Sequence, residues 1–241
     1  MKKIVPGIFA LALALPSHAA AQEAAVQEMD AAHHGPDLFH MIELEADYAA
    51  RHGGLWNWNA DGWIGGDTER LWIRSEGEIE DGDVGEAEAQ LYYGRNVHPY
   101  WDALLGVRQD FAPRGETYLA AGVAGLAPYF FETEATAFVS TEGDVSARLE
   151  QSFELLITQK LIAEPHVEVN LFAQDVPERG VGAGFSDIEA GLQLRYEVTR
   201  KVAPYVDLVW ERDLGETASI TRAGGEDAGR TTLRFGVRAW F

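Results

Sequence analysis

The stretch S-D-I-E-A-G-L-Q-L-R-Y-E at residues 186–197 decides the fold. Ser186, Ile188, Ala190, Leu192, Leu194 and Tyr196 occupy one parity, and Asp187, Glu189, Gln193, Arg195 and Glu197 occupy the other. A helix would scatter those charges around its axis, whereas a strand sets every second side chain on one face. The period is two, so the segment is a strand with one apolar and one charged face. The same alternation runs through 42–48, where Ile42, Leu44, Ala46 and Tyr48 interleave with Glu43, Glu45 and Asp47. It recurs in 70–79 and 86–93.

Turn chemistry at Gly53-Gly54, Gly65-Gly66-Asp67, Asp81-Gly82-Asp83, Pro113-Arg114-Gly115 and Glu142-Gly143-Asp144 separates such runs. About twelve strands result, each roughly 10–14 residues long and able to cross a bilayer when tilted. Their expected bounds are 40–50, 54–64, 68–80, 84–94, 98–110, 115–126, 129–141, 144–157, 161–173, 184–198, 202–213 and 230–241. Long Gly-rich connections at 174–183 and 214–229 alternate with tight turns, and the chain closes on a strand ending in Phe241. Aromatics near strand ends, among them Trp56, Trp63, Tyr100, Phe111, Tyr118, Tyr129, Phe172, Tyr205 and Trp210, are expected to form girdles at two membrane interfaces. The fold class is all-β: an antiparallel up-and-down transmembrane β-barrel. An even strand number puts both termini on the short-turn, periplasmic side. A soluble lipocalin-like barrel would leave the acid rows in solvent and explain neither the girdles nor the C-terminal strand.

Composition narrows the function classes. The 241 residues carry 19 Lys plus Arg against 39 Asp plus Glu, a net charge of -20, so nucleic acid is excluded as a partner and cations are favoured. The absence of Cys removes thiolate metal sites, disulfides and a cysteine nucleophile. Lys2 and Lys3, the apolar run Ile4 to Leu15 and small residues through Ala21 have the layout of a cleaved signal peptide, 1–21. A flexible tail at 22–39 and a barrel at 40–241 complete the expected organisation. No G-x-S-x-G, H-E-x-x-H or phosphate loop occurs. His52, with Asp47 and Asp61 nearby along the chain, is at most a fragment of a hydrolase site, and the expectation is that the protein is not an enzyme.

With the apolar face on outer-membrane lipid, the acid rows line the lumen. Glu43, Glu45, Asp47, Glu132, Glu134, Glu164 and Glu168 then form a candidate cation path, beside Arg70, Arg74, Arg108, Arg148, Arg195, Arg234 and Arg238. Buried charges must be paired, so most of these acids are expected in Arg–carboxylate networks, with the acid surplus attracting cations. Ahead of the first strand, Met29, His33, His34, His40 and Met41 crowd into 29–41. Thioether and imidazole together suit copper, Met favouring Cu(I) and His serving either Cu(I) or Cu(II). His98, in a predicted periplasmic turn, and His166, on the inward parity beside Glu164 and Glu168, are further candidate ligands. The competing reading is a tail in which His and Met are incidental.

The chain resembles the bacterial copper resistance protein B (CopB) family of outer-membrane proteins. The resemblance rests on G-G-D-T-E-R-L-W-I-R-S-E-G-E at 65–78, Y-W-D-A-L-L-G-V-R-Q-D at 100–110 and P-Y-F-F-E at 128–132. It continues through S-A-R-L-E at 146–150, L-L-I-T-Q-K-L-I at 155–162, P-E-R-G-V-G-A-G-F-S-D-I-E-A-G-L-Q-L-R-Y-E at 177–197 and A-P-Y-V at 203–206. It implies copper handling at the outer membrane alongside a periplasmic multicopper oxidase. The tandem Met-Asp-His-Gly repeats common in the family are reduced here to M-D-A-A-H-H-G-P-D-L-F-H-M at 29–41. The expectation is therefore one low-stoichiometry copper site at the periplasmic mouth, held by His33, His34, His40 and Met41 and completed by His166 and His98. Glu43 and Glu45 would begin the inward path. The alternative is a passive cation-selective or structural barrel without specific metal binding.

Overall fold

A computed structural model describes residues 38–49 and 54–241; the readings on the signal, most of the tail, Met29, His33, His34 and His52 fall outside them. The strands are β1 (Phe39–Ala49), β2 (Leu55–Gly65), β3 (Glu69–Glu80), β4 (Asp83–His98), β5 (Trp101–Ala112), β6 (Glu116–Ala127) and β7 (Phe131–Ser140). Then follow β8 (Val145–Ser152), β9 (Leu155–Leu156), β10 (Leu161–Phe172), β11 (Gly184–Tyr196), β12 (Val202–Asp213), a helix α1 (Gly215–Ala223) and β13 (Gly229–Trp240). Each strand pairs antiparallel with its neighbours, and β13 closes on β1 with Leu44 opposite Ala239 and Tyr48 opposite Phe235. The two fragments β8 and β9 share one edge of β10. They make one interrupted stave, so the closed barrel has twelve.

The predicted strand at 144–157 is the one that breaks. Ser152 pairs with His166 and Leu155 with Ala163, which sets the gap at Phe153 and Glu154 opposite Pro165 and Glu164. Phe153 still donates its amide to the Pro165 carbonyl at 3.3 Å, but proline has no N–H to return. The ladder loses a rung there, and the stave splits.

Strand parity sorts the two faces. Leu91, Leu105, Leu119, Leu192, Leu208 and Phe235 are exposed on the outer wall, an apolar surface that water would not tolerate but lipid does. Their sequence neighbours turn inward: Leu105 is 57% exposed, Leu104 only 3%. Inside, Tyr92, Leu104, Tyr118, Ala120 and Phe138 pack as an apolar wall along β4–β7. Tyr48 packs tilted against Trp56 at 4.9 Å, and with Phe111, Phe185 and Trp210 these rings line the outer wall at the long-loop end. Tyr100, Tyr129, Tyr196 and Phe241 are exposed at the end that carries the termini. Four aromatics expected in the girdles face inward instead. Tyr118 and Tyr205 are buried, Trp63 lies under Arg70 at 4.7 Å, and Phe172 lies under Arg179 at 6.0 Å. Their parity, not their height along the strand, decides their fate.

A candidate cation-binding lumen

The inward parity encloses a cavity of about 890 Å³ whose walls carry seventeen carboxylates, seven arginines and one histidine. At the long-loop end it reaches Asp213, Glu226, Asp227 and the α1 residues Thr217 and Thr221. There Gly182 donates its amide to Thr217 Oγ1 at 3.0 Å, tying the 173–183 connection to the helix. Toward the termini the lining stops at Glu45, Glu164 and Arg238.

What stops it is a layer of ion pairs. Arg238 on β13 pairs with Glu45, with Glu164 at 3.0 Å and with Glu43 at 3.7 Å. Arg195 on β11 pairs with Glu164 and with Glu154, which stands in the interruption between β8 and β9. Both arginine side chains are nearly buried. Two guanidiniums shared among four carboxylates fill the lumen at the terminal end, each fork accepting more than one partner as its planar geometry allows.

Further in, Arg148 gathers Glu76 at 2.7 Å, Glu88 at 3.3 Å and Glu168 at 3.3 Å. Arg108 bridges Glu88 at 2.5 Å and Asp110 at 2.6 Å while lying over the rings of Tyr118 and Phe138. Arg74 holds Asp61 at 2.7 Å and Glu134 at 2.5 Å. Asp47 is spoken for by neutral donors: Asn57 Nδ2 at 2.7 Å and the Tyr205 hydroxyl at 3.0 Å. Tyr205 can lie there because Gly236 has no Cβ, which would otherwise sit 2.3 Å from its ring.

The acids of the candidate path all reach the lumen side, yet arginine occupies most of them. Glu43, Glu45 and Glu164 belong to the terminal layer, Glu134 to Arg74 and Glu168 to Arg148. Among the described residues, Glu132, paired through its backbone with Leu126 and Ser152, is the one of the seven whose side chain makes no ion pair or hydrogen bond.

Among the described residues, His40, Met41, His98 and His166 do not converge. His40 and Met41 are consecutive in β1, so they face opposite sides of the wall. His40 is opposite Ile64 on the outer parity and Met41 opposite Trp63 on the inner one. His98 is exposed at the end of β4, where its carbonyl accepts from Asn96 Nδ2 at 2.9 Å. His166 stands one inward position beyond Glu164 on β10 and lines the cavity, on the far side of the Arg195–Arg238 layer from the terminal mouth.

Around His166 is an arrangement of a different kind. The Nε2–Cε1 edge of its ring crowds Gly191, where a Cβ would come within 2.2 Å of Nε2. Nε2 is 3.8 Å from Glu189 Oε1 and 3.8 Å from Asp207 Oδ2. Asp207 Oδ1 and Gln193 Oε1, on directly paired residues of β11 and β12, are buried without a hydrogen-bond partner. Sequence reading missed Glu189 and Asp207 as neighbours of His166. The signal available was parity, since Tyr205, Asp207 and Glu211 alternate with Val206, Leu208 and Trp210.

A family model for the copper resistance protein B precursor (CopB) matches residues 38–241. Copper resistance protein B of Escherichia coli is 45% identical over 186 residues, covering 77% of this chain and 63% of that protein. A copper resistance protein B homolog of Pseudomonas syringae pv. tomato is 44% identical over 193 residues, covering 80% and 66%. The matched region thus spans just under two thirds of either relative's length. Among solved structures, the NanC porin superposes with a TM-score of 0.56 at 12% identity, covering 82% of this chain and 98% of its own. The KdgM porin gives 0.50 at 9% identity, covering 83% and 99%. At these identities the likeness is one of fold, that of an outer-membrane β-barrel.

Proposed function

This chain belongs to the copper resistance protein B family, and from that membership we propose that its barrel admits copper ions to the lumen and so contributes to copper resistance at the outer membrane. The observation that carries the reading is the cavity itself, in which carboxylates outnumber arginines by seventeen to seven. A low-dielectric wall with that imbalance concentrates cations. In this reading the signal at 1–21 is removed and both mature termini are periplasmic. Met29, His33 and His34 of the tail, with His40, Met41 and His98 at the mouth, collect copper on that side. Met41 serves Cu(I), and the imidazoles serve either oxidation state. A periplasmic multicopper oxidase is the partner this placement favours, and the protein's own part is binding and transfer, not catalysis.

A second reading, a passive cation-selective barrel, draws on the arginine networks that consume Glu43, Glu45, Glu134, Glu164 and Glu168. Growth of a deletion strain on graded copper separates the two. Lowered copper tolerance, restored by the intact gene, is expected of copper handling; unchanged tolerance supports the passive barrel.

A further inference from the structure

We propose that Glu116 at the start of β6, with Glu142 and Asp144 of the turn between β7 and β8, forms a Ca²⁺ site on the long-loop rim of the barrel. None of the three lines the lumen cavity, so the site is separate from any that takes copper there.

Three observations carry this. The first is convergence. Tyr118 of β6 lies opposite Ser140 of β7, so Glu116, two residues nearer the rim, is level with the turn that follows Ser140. Thr141 donates its amide to the Thr117 carbonyl at 3.0 Å, which ties that turn to β6. Gly143, at a φ of 97°, reverses the chain between Glu142 and Asp144. One carboxylate oxygen from each of Glu116, Glu142 and Asp144 then lies within 4.8 Å of the other two. Two oxygens each about 2.3–2.6 Å from one Ca²⁺ can stand up to roughly 5 Å apart, so a single ion can touch all three.

The second observation is an orphaned oxygen. Glu116 is 7% exposed, and its Oε1 is buried without a hydrogen-bond partner, while Oε2 accepts from the Tyr118 hydroxyl at 3.0 Å. A buried carboxylate oxygen with no donor is costly, and further acids beside it cannot relieve it, whereas a cation can. The third is charge. Among the described residues, neither Glu116 nor Asp144 has an ion pair. Arg114 pairs with Glu142 at 2.8 Å, but it is shared with Glu178 and its side chain is exposed. One divided guanidinium leaves the three carboxylates short of positive charge.

The donors select the ion. Three carboxylates with no nitrogen or sulfur form a hard set, suited to Ca²⁺, Mg²⁺ or Mn²⁺ and not to Cu(I). Mg²⁺ holds its water and a strict octahedron, whereas Glu116 Oε1 sits where solvent does not reach. Ca²⁺ accepts an irregular oxygen set, and exposed Glu142 leaves its outer side open for water to complete the shell. An ion there joins the rim of β6 to the β7–β8 turn.

The test is Ca²⁺ binding to the mature chain refolded in detergent, read by displacement of Tb³⁺, whose luminescence the Tyr118 ring sensitises. Folding is checked by heat-modifiable gel migration. Wild type is expected to bind one Ca²⁺ per chain. Glu116→Gln and Asp144→Asn, which keep the side-chain shapes, are expected to weaken that binding about tenfold or more. Arg114→Ala frees Glu142 of its competing cation and is expected to tighten it, a gain that a merely structural role for the cluster would not produce. Copper binding should be the same in wild type and Glu116→Gln. Equal Ca²⁺ affinity in wild type and the two folded acid variants would overturn the site, as would a wild-type barrel that binds no Ca²⁺. Either result leaves the copper reading untouched.

Discussion

The two halves of the lumen use the same residue types to opposite ends. In the terminal layer, Arg195 and Arg238 take up Glu43, Glu45, Glu154 and Glu164, and the open cavity ends against them. In the cavity beyond, Arg108, Arg148 and Arg234 still hold Glu88, Glu76 and Glu211, but Glu150 lies 3.9 Å from Arg148, Glu189 lies 3.6 Å from Arg234, and Asp207 has no ion pair with an arginine among the described residues. A carboxylate inside a barrel is expensive until something compensates it. Where a fixed guanidinium does so, the result is a closed structural layer. Where none does, the acid takes up a proton or a mobile cation instead. The placement of arginine is what divides the lumen.

That division has consequences of graded size. The largest belongs to Arg148, which holds Glu76, Glu88 and Glu168 with its side chain 11% exposed. Arg148→Ala strands Glu76 and Glu168, while Glu88 keeps Arg108 at 2.5 Å, and is expected to cost about 3–5 kcal/mol in urea unfolding from lipid vesicles. A loss below about 1 kcal/mol would mean that these acids are compensated by something other than a fixed arginine. Next is the terminal layer. Arg195→Ser combined with Arg238→Ser should open it, raising single-channel conductance in planar bilayers severalfold while keeping cation selectivity. Unchanged conductance would locate the closure elsewhere. The smallest effect is outside the lumen, where Arg114 and Glu142 pair at 2.8 Å with both side chains largely exposed. Arg114→Ala should cost less than about 1 kcal/mol by the same unfolding measurement, because water already screens the pair.

Much of the barrel was legible in the sequence because period two is a local property. The alternation in 42–48 and 186–197 fixes both the strand and its inward face, and the expected strand ends mostly fall within two residues of the observed ones, with 84–94, which runs to His98 in β4, as an exception. The break at Phe153 was less visible because it arises across strands, from Pro165 on the neighbouring stave. The inward turn of Trp63, Tyr118, Phe172 and Tyr205 was a parity question that height along the strand cannot answer. Parity also separates His40 from Met41, since consecutive strand residues cannot share a face. The candidate site was harder. His166 could be assigned to the lumen side from its own strand, but its companions come from β11 and β12. Its depth relative to Arg195 and Arg238 depends on the register of β10 through β13 and of β1. Residues that meet through register leave no spacing in one sequence.

The most direct measurement is anomalous diffraction at the copper edge from crystals of the mature chain grown with Cu(II). A peak inside the barrel, on the long-loop side of Arg195 and Arg238, is the expected result. Copper found only at the Met41 and His98 end, or only on the outer surface, would contradict a lumen that holds the ion.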